Sequence, residues 1–121
     1  MFHLSLPVDN YRECVDFYVS CFDAEAVELT PTAVNIFVFG AQITLHDNPS
    51  SPLTSAARRH FHFGPVVPLN EWFVLRDRLK SGGHTLLKCI DPQEGSKARG
   101  KLVVADPSGN LVEVNSTTEA I

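Results

Sequence analysis

Phe2-His3-Leu4-Ser5-Leu6-Pro7-Val8 runs directly into Asp9-Asn10. The first seven residues read as a strand. Asp9 or Asn10 can cap a helix, with Glu13 placed to complete a capping box. Tyr11, Val15, Tyr18 and Phe22 then recur at helical spacing. The same order returns later in the chain. Arg59 to Val67, which contains Phe61-His62-Phe63-Gly64, reads as a strand. Asn70 can cap a second helix, whose apolar positions are Trp72, Leu75 and Leu79, and Gly82-Gly83 ends it. His3 and His62 are 59 residues apart, which is the period of an internal repeat.

The remaining segments extend the repeat. Ala24 to Leu29 is a weak strand candidate, Ala33 to Phe39 a firmer one, and Gly40 turns the chain into a return strand over Gln42 to His46. Residues 48–59 carry two prolines and no core pattern, so they read as a linker. In the second half His84 to Cys89 is a short strand and Asp91 to Gly100 a polar loop. Lys101 to Ala105 and Leu111 to Asn115 are strands joined by the turn Asp106-Pro107-Ser108-Gly109-Asn110. The order is β-α-β-β-β, linker, β-α-β-β-β. One α+β domain over 1–121 is expected: module 1 over 1–47, the linker, module 2 over 60–115 and a tail over 116–121.

Composition bounds the function. The chain has 121 residues, 44% hydrophobic and 20% charged, with a net charge of -4. An acidic chain without a basic block is a poor nucleic-acid or anionic-membrane binder. No apolar run approaches a membrane span. Met1-Phe2-His3-Leu4 shows neither a charged n-region nor a cleavage site, so no signal peptide and a cytoplasmic location are expected. Cys14, Cys21 and Cys89 form no CxxC or zinc spacing and read as reduced thiols packed as small hydrophobes. Walker, GxGxxG and GxSxG motifs are absent.

Four potential metal ligands fall on the first and last strands of the two halves: His3 and His46, then His62 and Glu113. Each also has a plain reading. A strand histidine can be packed or solvated. His46 could be a fourth ligand, a general base beside a three-ligand metal, or an edge residue without a role. His60 shares a strand face with His62 by alternation, as a pocket residue or an exposed one. His84 reads as surface. Glu113 lies between Val112 and Val114, so it faces away from them, into solvent or toward a cation. Phe61 and Phe63 should lie opposite His62 and pack under a helix. Lys97, Arg99 and Lys101 read as a solvated turn.

Four segments carry a family resemblance: Phe2-His3-Leu4-Ser5-Leu6-Pro7-Val8, Phe39-Gly40-Ala41-Gln42-Ile43-Thr44-Leu45-His46, His60-Phe61-His62-Phe63-Gly64 and Asp106-Pro107-Ser108-Gly109-Asn110-Leu111-Val112-Glu113. The chain resembles the vicinal oxygen chelate superfamily, which includes glyoxalase I, fosfomycin-resistance enzymes, bleomycin-binding proteins and extradiol dioxygenases. The resemblance implies two βαβββ modules, each a curved mixed sheet with one helix (the glyoxalase/bleomycin resistance/dihydroxybiphenyl dioxygenase fold). It further implies one divalent metal per site, Fe, Mn, Ni, Co or Zn, held by His3, His62 and Glu113 with His46 at or near bonding distance. His46 and His60 are the catalytic candidates. For Lys97, Arg99 and Lys101 the resemblance implies, as the alternative to a solvated turn, an anionic-substrate or pocket-closing role. A small molecule with neighbouring oxygens is the implied substrate, in a dioxygenase-like or glyoxalase-like lyase reaction. A homodimer with sites formed between modules is implied as well. The alternative is a metal-free, drug-sequestering binding protein.

Overall fold

The computed structural model describes residues 1–48, 60–93 and 99–117. Most of the expected linker, Arg59, Lys97 and most of the tail lie outside the described residues. The chain divides into two compact units. The first comprises Met1–His60 with the turn Asp106–Asn110, and the second comprises Phe61–Ala105 with Leu111–Ile121.

In the first unit β1 (Phe2–Val8) leads to α1 (Tyr11–Phe22), then to β2 (Glu25–Thr30), β3 (Ala33–Val38) and β4 (Ala41–Asp47). The sheet order is β1-β4-β3-β2, with β1 parallel to β4 and the other pairs antiparallel. Seven consecutive residues of β1 pair with β4, His3 beside Gln42 and Pro7 beside His46. One sheet face carries the core: Leu6, Val8, Val34, Ile36, Ile43 and Leu45 are buried. The β3–β4 turn places Phe39 and Gly40 both at positive φ, 58° and 70°. Two such residues make the tight hairpin turn whose twist suits the flanking strands. Phe39 meets Phe22 edge to face, with ring centroids 5.1 Å apart.

In the second unit β5 (His62–Phe63) and β6 (Val66–Val67) precede α2 (Leu69–Ser81), then β7 (Lys88–Ile90), β8 (Lys101–Ala105) and β9 (Leu111–Ser116). The order β5-β9-β8-β7 repeats the first sheet, and β6 continues the parallel pairing with β9. Trp72, Leu75 and Leu79 of α2 are buried, as are Leu102, Val104, Val112 and Val114. The expected βαβββ repeat is therefore present, with a mixed sheet in each unit and, among the described residues, α1 in the first and α2 in the second.

Several local expectations are corrected. The buried stripe of α1 is Cys14, Phe17, Tyr18, Cys21 and Phe22, whereas Tyr11 and Val15 are only half-buried. Cysteine supplied two positions of the face, as its small apolar character allows. Asn10 does not cap α1 through its side chain. It sits in the left-handed region (φ 46°, ψ 46°), and its amide donates to the Pro107 carbonyl at 3.3 Å. Nor does Asn70 cap α2. That helix begins two residues earlier than such a cap would set, at Leu69 with Pro68 at the cap, where a missing N–H costs nothing. Its end is as expected: Gly83 (φ 80°) donates to Lys80 and His84 to Leu79, satisfying the last carbonyls. The single strand expected from Arg59 to Val67 is two short ones, interrupted at Gly64-Pro65. His84 to Leu87 precede β7 rather than belong to it.

Candidate functional site

Glu113 lies on β9 between Val112 and Val114, both fully buried. Alternation therefore sends its carboxylate to the opposite face, where its side chain is 15% exposed. Three groups meet it. His62 Nε2 lies 3.4 Å from Oε2, Asn115 Nδ2 donates to Oε2 at 3.2 Å, and Lys101 Nζ lies 3.8 Å from Oε1. Just beyond His62 the chain passes close to β9 at Gly64. A Cβ built at Gly64 would run into the Glu113 backbone carbonyl and lie 2.8 Å from its carbon. Only glycine permits that approach of the two chains.

The pair fits a metal. Two donors about 2.1 Å from one ion, at tetrahedral to octahedral angles, lie about 3.0 to 3.4 Å apart. The His62–Glu113 separation of 3.4 Å falls in that range. An imidazole with a carboxylate also suits a borderline divalent ion. Among the described residues no three His, Cys, Asp or Glu side chains gather into a cluster able to hold an ion. The structure thus brings together two of the four candidates.

The other two stand on the first unit's sheet. His3 pairs with Gln42 and is exposed, on the face opposite buried Leu6 and Val8. His46 is exposed and shares a face with Gln42 and buried Thr44. When His3 is matched to His62, Thr44 takes the register position of Glu113 and His46 that of Asn115. His46 thus stands two residues past the carboxylate's counterpart. His60 precedes β5 in helical geometry and is exposed, so the argument that it shares a strand face with His62 does not hold. Phe61 also lies outside the strand and is 48% exposed, contrary to its expected packing under a helix. His84 is half-buried behind the α2 terminus.

Asn115 and Gly64 were missed as contributors. The signal for Asn115 was the alternation of Leu111, Glu113 and Asn115 along one strand. Gly64 gave only a glycine within a strand-like run.

The Asp106 turn has a structural role. Asp106 Oδ1 accepts the Ser108 and Asn110 amides, each at 2.9 Å. Its Oδ2 accepts the Tyr18 hydroxyl at 2.8 Å and the Asn110 side chain at 3.0 Å. A buried carboxylate with four donors is fully compensated. It also explains why Asp, Gly and Asn recur in this turn, since Gly109 adopts φ 86°. Cys14 is buried beside Ser108, at 3.1 Å, and burial pushes its thiol up to about 11. A thiol held protonated is no nucleophile. A concavity of about 220 Å³ between α1 and β2 is lined by Tyr11, Arg12, Asp16 and Glu28, and holds none of the candidate ligands.

Solved structures share the fold. A glyoxalase/bleomycin resistance protein/dioxygenase from Alicyclobacillus acidocaldarius superposes with a TM-score of 0.73 at 23% identity, covering 98% of this chain and 92% of its own. The fosfomycin resistance protein FosX from Listeria monocytogenes, complexed with Mn(II) and sulfate, gives 0.76 at 16%, covering 98% and 90%. Lactoylglutathione lyase from Agrobacterium tumefaciens gives 0.71 at 20%, covering 96% and 92%. No curated protein matches the chain in sequence. The family model of the Glyoxalase/Bleomycin resistance protein/Dioxygenase superfamily matches residues 1–114, and the chain belongs to that superfamily.

Proposed function

We propose that this protein is a metal-dependent enzyme of the vicinal oxygen chelate type, acting on a small molecule with two neighbouring oxygens. The observation that carries this reading is the His62–Glu113 pair, a nitrogen and a carboxylate oxygen 3.4 Å apart on one sheet face. His3 is the proposed third ligand and His46 a fourth ligand or a proton carrier. His60, exposed ahead of β5, is a weaker candidate for moving a proton. The ion, one of Fe, Mn, Ni, Co or Zn, supplies Lewis acidity toward the substrate's paired oxygens. Glu113 offers the negative charge and His62 a neutral donor, while Asn115 fixes the carboxylate's orientation. The reaction is of the extradiol-dioxygenase or glyoxalase-lyase kind. The occurrence of Mn(II) in the FosX complex supports a divalent ion.

We further infer a homodimer. Phe2, Val27, Leu29 and Val66 are large apolar side chains left exposed on strands, and such surface is covered in stable assemblies. A cytoplasmic location goes with the reduced thiols and the acidic charge.

Metal analysis of the purified protein, followed by oxygen-uptake and isomerase assays, tests the reading. About one divalent ion per chain, lost in Glu113→Gln, is expected. Equal metal content in the parent, Glu113→Gln and His62→Ala would leave a metal-free binding protein as the better account.

A further inference from the structure

Backbone register sets three rows across the face of the second sheet that carries Glu113. His62, Leu111 and Ala105 form one; Glu113, Val103 and Lys88 the next; Asn115, Lys101 and Ile90 the third. Residues paired across strands share a face, so two ammonium groups stand on the face of one carboxylate. Lys101 Nζ is 3.8 Å from Glu113 Oε1, and its side chain is 40% exposed. The other oxygen, Oε2, takes the Asn115 amide and faces His62. Lysine and metal would therefore compete for one negative charge while Asn115 keeps the carboxylate oriented.

The outcome of that competition follows from charge. A divalent ion carries twice the charge of an ammonium and gains a direct bond to oxygen. Lys101 has a flexible stem with an exposed path to water, so it can yield. Once it yields, its charge remains within a side chain's reach of the site. Among the described residues, the face then holds a dication and two lysines against one carboxylate. Such an excess attracts an anion.

We propose that Lys101 is a displaceable counter-ion of Glu113, released by a divalent ion to hold an anionic group of the substrate. The proposal rests on the metal reading above and adds to it a substrate class: a small anion, with a carboxylate or a phosphorus oxyanion near its paired oxygens. Lys101 is a counter-ion of Glu113 in the metal-free protein and a binding residue for the substrate.

Titration of the full chain with Mn(II), in chloride and then in sulfate at matched ionic strength, tests it. Sulfate is the anion probe. In chloride, Lys101→Met should bind Mn(II) about tenfold more tightly than the parent, a coupling of ordinary size. Its metal-free form should nevertheless melt at lower temperature, because Glu113 has lost its counter-ion. Sulfate should tighten Mn(II) binding by the parent several-fold more than binding by Lys101→Met, and Lys101→Arg should restore the parent's response. Lys101→Gln serves as a second neutral variant should the methionine misfold. Unchanged or weaker Mn(II) binding in the neutral variants overturns the proposal, as does a sulfate effect that is undiminished in them. A parent that binds no Mn(II) overturns the metal reading and this proposal together; a parent that binds it without tightening in Lys101→Met overturns this proposal alone.

Discussion

The two units share one topology and differ at one strand. In the first, β1 pairs with β4 over seven unbroken residues. In the second, the same strand is split into β5 and β6 around Gly64-Pro65. The consequence appears on the partner strand. Thr44 of β4 is buried and its hydroxyl donates to Asn35 at 2.7 Å. Glu113, its counterpart on β9, has an imidazole, an ammonium and an amide around it. Along the uninterrupted strand the buried polar group of the partner strand is satisfied by a neighbouring amide. At the interruption Gly64 lies against the Glu113 backbone, on the strand whose carboxylate faces His62 and Lys101. The repeat supplies the frame, and the departure from it lies beside the one paired imidazole and carboxylate among the described candidates.

The largest effect is expected where a segment of the second half joins the first unit. Asp106→Ala removes a buried carboxylate and strands Tyr18, Asn110 and two amides, so it should cost about 3 kcal/mol or more. Urea denaturation measures this loss. Gly64→Ala should come next, at about 2 kcal/mol, because the Glu113 carbonyl must retreat. The corresponding Ser5→Ala in the first unit should be almost neutral, since Ser5 is exposed and pairs regularly with Thr44. Equal costs at positions 5 and 64 would erase the difference between the units.

Alkaline pH gives a smaller, graded effect. The folded thiol of Cys14 keeps its proton to about 11, against 9.0 ordinarily, mainly through burial. Burial and the Asp106 carboxylate likewise raise the Tyr18 phenol above its ordinary value. Unfolded chains ionise first, so stability present below pH 9 should decline as pH rises toward about 11. Urea midpoints measured from pH 8 to 11 should fall, and fall less steeply in Cys14→Ala. The smallest effect is expected at His84, where substitution by alanine should leave metal affinity unchanged.

Much of the fold was legible because two periodicities coincided. The 59-residue spacing of His3 and His62 gave the repeat, and alternation along Leu111 to Asn115 gave the orientation of Glu113. Failures occurred where through-space contacts decided the outcome. Asn10 reads as a helix cap, yet its backbone turns left-handed and its side chain serves Pro107, 97 residues away. The run from Arg59 to Val67 reads as one strand, yet the close approach of Glu113 at Gly64 interrupts it. With that strand shortened, His60 and Phe61 lost the alternation on which their expected places rested. Lys101 reads as a strand start beside a basic turn, and its approach to Glu113 stays hidden because it depends on the register in which β8 and β9 pair.

The second unit's exception, the His62–Glu113 pair, is proposed to form half of a divalent metal site. Mn(II) titration of the parent, Glu113→Gln and His84→Ala under one buffer condition addresses it most directly. Glu113→Gln keeps the side chain's size and removes its charge, so affinity should fall by about a hundredfold or more, at least the loss seen when only a ligand's outer partner is removed. His84→Ala should match the parent. Identical Mn(II) affinity in all three proteins, or no binding by the parent, would contradict the account.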